Sequence, residues 1–132
     1  MRQPTEGPSK NSIIEMNIEE LRDVCLSLPG VTEDVKWESN LCFLVAHKIF
    51  LMAALDESAT PASFKVPPGD FDDVASRDGF SQAPYLARGQ WVRTDNVANL
   101  SEEEWVHYAK QSYKLIRGKL SKKLQQELEE IL

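Results

Sequence analysis

At Leu28-Pro29-Gly30 the chain changes its period, and with it the kind of structure it can form. Before that break, Ile18, Leu21, Val24, Cys25 and Leu28 recur at helical spacing, with Glu19, Glu20 and Asp23 opposite them. Asn17 can cap this helix, with Glu20 in the capping-box position. After the break, residues 31–55 lose the helical period. Val31-Thr32 and Val35-Lys36-Trp37 are β-prone, and Leu41–Ala46 and Ile49–Leu55 are apolar runs around Ala46-His47-Lys48. That arrangement reads as a hairpin with a basic tip.

The remainder alternates between short elements. Ser63–Val66, carrying Lys65, reads as a short strand that Pro67-Pro68 breaks. Asp70 is expected to cap a short helix with Asp72 and Asp73 in its first turn, where acids favour the helix dipole. Asp78-Gly79 and Ala83-Pro84 mark turns, and Gln90–Asp95 reads as a strand with Trp91 and Arg93 on one face. Ser101 and Glu104 form a second capping box, opening a helix to about Arg117 that Gly118 ends. Its inner face is Trp105, Tyr108, Ala109, Ser112, Leu115 and Ile116. A last helix starts near Ser121, with Leu124 and Leu128 inward. The reading is one α+β domain, an antiparallel sheet packed against helices. Residues 1–15 hold Pro4, Gly7 and Pro8 without a period and read as a flexible tail, with the domain spanning 16–132.

A chain of 132 residues suits one core that needs no staples. No stretch nears the roughly 18 uncharged apolar residues of a membrane helix, and the N-terminus has no apolar signal region, so no membrane partner is expected. Cys25 and Cys42 make no disulfide framework and read as buried thiols; a reducing cytoplasm is the expected compartment. The aromatics, Trp37, Phe43, Phe50, Phe64, Phe80, Trp91 and Trp105 among them, take core-like positions, with Tyr85 and Tyr113 the ones free to stack elsewhere.

Charge is where function can be read. The net charge is -6, which opposes sequence-blind binding to nucleic acid. Yet residues 17–105 hold seven basic and sixteen acidic side chains, whereas residues 106–126 hold six basic and none acidic. Within that segment His107, Lys110, Lys114 and Arg117 span about 80° of helical arc. They form a stripe nearly opposite the apolar face, a ridge suited to phosphates. Lys48 at the hairpin tip, Lys65, Arg88 before a strand and Arg93 are the accessory candidates. No pair among the two Cys and two His has zinc-ligand spacing, no nucleophile elbow is present, and the six glycines form no phosphate loop. No known zinc, nucleophile or phosphate-loop motif is therefore expected to act here, and an enzyme of unrecognised type is the least favoured reading.

Taken together, Leu28-Pro29-Gly30-Val31, Trp37, Phe43, Lys48-Ile49-Phe50, Phe64-Lys65, Ala83-Pro84-Tyr85, Trp91-Val92 and Ser112-Tyr113-Lys114-Leu115-Ile116 resemble the MmcQ/YjbR family over about residues 16–124. That resemblance implies a compact α+β domain and membership of a group described as predicted DNA-binding proteins with a double-wing motif, with no enzyme activity and no cofactor. Family members often carry glycine just before the Lys48 position, where Ala46-His47 stands here. The expected partner is nucleic acid, bound weakly and in a salt-sensitive way. An acidic protein or a small anion is the alternative ligand of the same basic helix.

Overall fold

The computed structural model describes residues 16–55, 59–83 and 89–131, the side chains of the last four excepted. Helix α1, Ile18–Leu26, starts where the Asn17 side chain accepts a hydrogen bond from the Glu20 amide at 3.0 Å. It buries Leu21 and Cys25 completely. Past Leu28-Pro29-Gly30 come β1 (Val31–Lys36), β2 (Asn40–Val45) and β3 (Lys48–Ala54), a meander. Strand β4 (Ala62–Lys65) follows, then a 3₁₀ turn (Pro68–Asp70) and α2 (Phe71–Ala75). Strands β5 (Phe80–Gln82) and β6 (Trp91–Thr94), a 3₁₀ turn (Val97–Asn99), α3 (Glu102–Arg117) and α4 (Lys122–Ile131) complete the order. All six strands pair antiparallel in the order β1-β2-β3-β4-β6-β5, so β6 inserts between β4 and β5.

The fold class is the expected α+β. Helices α1 and α3 lie together against one face of the sheet, and Leu21, Phe43, Leu51, Phe64, Val92 and Trp105 share one core. Phe64 meets the Trp105 ring edge-on at 5.4 Å between centroids and the Tyr108 ring at 5.2 Å. Such aromatic pairs contribute beyond their buried area. No helix among the described residues is long and apolar enough to cross a membrane.

Several local expectations are corrected. Residues 80–82 form β5 where turns alone were expected, because pairing with β6 overrides a weak local signal. Asp70 makes no side-chain cap; it lies inside the 3₁₀ turn that Pro67-Pro68 sets up. Trp37 is no core residue. It sits in the β1–β2 turn at φ 52°, and 66% of it is exposed. Leu124 is exposed also, because α4 packs little against the sheet. Conversely, Tyr113 is buried, its hydroxyl donating to the Pro29 carbonyl at 2.7 Å. The hairpin tip closes without glycine. Ala46 and His47 both take positive φ, 49° and 67°, as a two-residue turn matching the right-handed strand twist requires. The expected tail, residues 1–15, lies outside the described residues.

A half-exposed ion pair ties α1 to β1. Arg22 donates from Nε and Nη2 to the two Glu33 oxygens at 2.8 and 2.6 Å. These hydrogen bonds hold the Glu33 carboxyl below its usual range. A lowered carboxyl pKa adds stability above the unfolded-state value and loses it as pH falls through the folded value. The gap in melting temperature between wild type and Glu33→Gln should therefore be present at pH 7 and close below about pH 4.

Candidate nucleic-acid interface

The basic helix α3 is placed by a cap at its start and by two side chains on its inner face. At its start the capping box forms in full, the Ser101 hydroxyl accepting from the Glu104 amide and the Glu104 carboxylate from the Ser101 amide. Four residues into the helix axis, the Trp105 indole donates to the Val97 carbonyl at 2.8 Å. Further along, strands β3 and β4 pair only from Leu51 to Ala53 and then separate. Ser112 fills the gap: its hydroxyl donates to the Phe50 carbonyl at 2.5 Å and accepts from the Lys65 amide at 2.9 Å.

These anchors fix the helix direction. Val97 follows the end of β6, so the acidic start of α3, Glu102, Glu103 and Glu104, lies at that end of the sheet. Ser112 and Tyr113 lie at the opposite end, where β1, β3 and β6 begin and β2 and β4 finish. Lys48, the first residue of β3 and exposed, shares that end with Lys114, Arg117 and the residues after them.

The predicted stripe divides in its surroundings. His107, Lys110 and Lys114 are exposed. On one flank they line a shallow groove of about 460 Å³ with Val106, Gln111 and Leu115, and among the described residues no acid borders it. On the other flank Lys110 shares a groove of about 320 Å³ with Asp23 and Glu102. The sequence segment is free of acids, but α1 brings one alongside. Arg117 is half-buried; its guanidinium lies 5.9 Å from the Tyr113 ring centroid, and Nη2 donates to the Gln125 carbonyl at 3.4 Å.

The accessory candidates scatter. Lys65 is only 6% exposed, and its ammonium donates to the Gly89 carbonyl, so it faces inward and not toward a bulk ligand. Burial, and then the nearby Lys119, hold its pKa below the ordinary lysine value. Arg93 is half-buried at the middle of β6, between Ser63 and Ser81, away from the basic end. Arg88 lies outside the described residues. Sequence reasoning missed Lys119, which is exposed and comes beside Lys65. Nothing in its spacing announces that meeting, because it depends on where α3 ends relative to β4. Burial pushes both cysteine thiols up, as expected of inert core groups. Among the described residues, no three His, Cys, Asp or Glu side chains gather as metal ligands.

Comparison with known proteins agrees with this architecture. A search of curated proteins finds no match. Among solved structures, a Deinococcus radiodurans protein, DR2400, with a domain termed DUF419, superposes with a TM-score of 0.74 at 22% identity, covering 84% of this chain and 86% of its own. A Pseudomonas syringae protein, Northeast Structural Genomics Consortium target PsR293, gives a TM-score of 0.64 at 16% identity, covering 76% of this chain and 98% of its own. Both are likenesses of fold. The model of the YjbR family matches residues 26–115, from the end of α1 through the Ser112 seam to the basic half of α3, and the chain belongs to that family.

Proposed function

We propose that this protein is a non-enzymatic domain that binds nucleic acid through its phosphate backbone, using the exposed cations of α3 and the β2–β3 tip. The observation that carries the reading is topological. Antiparallel pairing and the Ser112 seam gather Lys48, Lys114, Arg117 and Lys119 at one end of the sheet, while Glu102, Glu103 and Glu104 sit at the other end of α3. A net charge of -6 thus coexists with a local positive surface. The groove along His107, Lys110 and Lys114, bordered by no acid among the described residues, continues that surface along the helix. Contacts of this kind position a protein on a duplex or strand without reading sequence.

Fluorescence anisotropy with mixed-sequence duplex and single-stranded DNA at two salt concentrations tests the reading. Weak binding that falls steeply with salt is the expected result, since each neutralised phosphate releases counterions. Changing Lys48, Lys110 and Lys114 together to Gln removes three exposed charges and keeps good helix formers in α3. The log–log salt slope should then shrink by up to about three units. Absence of wild-type binding at low salt would sink the proposal and leave an acidic protein or a small anion as the ligand of this surface.

A further inference from the structure

The sheet ends at β1, far in the strand order from the short edge β5. Among the described residues nothing pairs with the outer side of β1. Its ladder with β2 runs over six residues in one unbroken register, without proline or bulge. Sheet edges are usually shortened, bulged or interrupted, as the three-residue β5 is, because an open edge invites another strand. The direction of the β1 backbone groups follows from the neighbouring ladder. The Leu55 amide donates to the Ser39 carbonyl at 2.7 Å, in phase with the pairing of Leu41 and Ala53. Antiparallel bonds alternate along a strand, so Leu41 bonds toward β3, while Asn40 and Cys42 bond toward β1. Their partners Lys36 and Asp34 therefore bond inward, and Val35 and Glu33 turn their N–H and C=O groups out of the sheet. The Val31 amide keeps the same phase, donating to the Leu28 carbonyl and not to β2.

The side chains of this edge are mixed. Val35 is 51% exposed and lines a groove of about 540 Å³ with Ile18, Leu41 and the exposed Leu55. Asp34 and Lys36 alternate to the other face, their charged groups 3.4 Å apart. We infer that β1 pairs with β1 of a second copy of this chain, antiparallel about a two-fold axis at Val35.

Charge selects both the occupant and the register. With the axis at Val35, its outward N–H and C=O meet those of Val35 of the partner subunit, and the two valines cover each other. Asp34 then stands directly opposite Lys36 of the partner subunit, and Lys36 opposite Asp34 of the partner subunit, where unlike charges stabilise a strand pair. An axis at Glu33, Asp34 or Lys36 would set that charge against itself. The two grooves beside Val35 come together on the helix-bearing face of the joined sheet. One strand edge is a small contact, so the dimer is weak and reversible. This inference goes beyond nucleic-acid binding on α3 and does not depend on it.

Sedimentation equilibrium over roughly 1–500 μM of the full chain tests it, the range in which small interfaces associate. The expected result is a mass that rises from monomer toward dimer with concentration. Asp34→Lys and Lys36→Asp each turn two attractive pairs into two repulsive ones and should weaken self-association about tenfold or more. Mixed in equal amounts, the two variants should associate again, since every lysine at these positions then faces an aspartate. Val35→Pro removes the outward donor while sparing the bonds to β2, and should leave a monomer. Thermal unfolding of each dilute variant checks that the fold is kept; should Val35→Pro fail to fold, the charge reversals decide. Association that persists through both reversals, or variants that stay apart when mixed, overturns the proposed register. A wild type that remains monomeric throughout overturns the second copy as occupant and leaves an extended peptide of another protein as the partner of this edge.

Discussion

Trp105→Ala should destabilise the domain by about 3–5 kcal/mol, the largest loss expected of any single change in the core. The side chain is fully buried, and its indole proton is held by the Val97 carbonyl. Truncation removes the edge-on contact with Phe64, opens a cavity between α3 and the sheet, and leaves the Val97 carbonyl without this donor. A domain of ordinary stability has about 5–15 kcal/mol in all, so the variant should sit near the edge of folding. Guanidinium unfolding measures this as a drop in midpoint at nearly constant slope. Trp37→Ala is the internal control. With two thirds of its surface in solvent, it should change stability by no more than about 0.5 kcal/mol. Similar losses at the two positions would contradict the packing described.

Ser112→Ala should cost about 2–5 kcal/mol, far more than an exposed serine on a helix. The change removes one oxygen but strands two backbone groups, the Phe50 carbonyl and the Lys65 amide. Both lie where β3 and β4 have parted, so neither can turn to the neighbouring strand. Each unsatisfied buried group carries a penalty of about 1–3 kcal/mol. Alanine is the better helix former, so helix propensity works against the predicted loss and cannot mimic it. Equilibrium unfolding of the variant, compared with Ser101→Ala at the exposed cap, separates the two effects. A loss of about 1 kcal/mol belongs to the cap, and a markedly greater loss belongs to the seam.

The elements with strong local signals were legible in the sequence. Helices α1 and α3 announced themselves through apolar period and capping residues, and the β2–β3 hairpin through two apolar runs around a short polar turn. Local rules ran out where a residue's state depends on distant chain. Three residues of β5 show no pattern of their own and exist because β6 offers them a partner. Trp37 is apolar, but a left-handed turn points it outward. Lys65 alternates correctly for a strand, and no alternation rule says that its end of the sheet closes over it. Along α3 the cations were visible, but Asp23, one of the two acids that share a groove with Lys110, comes from α1, 87 positions earlier in the chain. The stripe was legible as charge; its surroundings belong to the tertiary structure.

The turn at Ala46 and His47 has a consequence for whatever meets that end of the molecule. Left-handed backbone at residues other than glycine costs about 1–3 kcal/mol each and persists only where the flanking strands hold it. Here both strands are locked, Val45 opposite Lys48 and Leu44 opposite Ile49. The tip is therefore a preorganised shape. A glycine pair would relieve the strain and give the loop many conformations, each to be frozen out on association. With Ala46 and His47 that ordering is completed during folding, so a ligand at Lys48 encounters a fixed surface and loses little affinity to loop entropy.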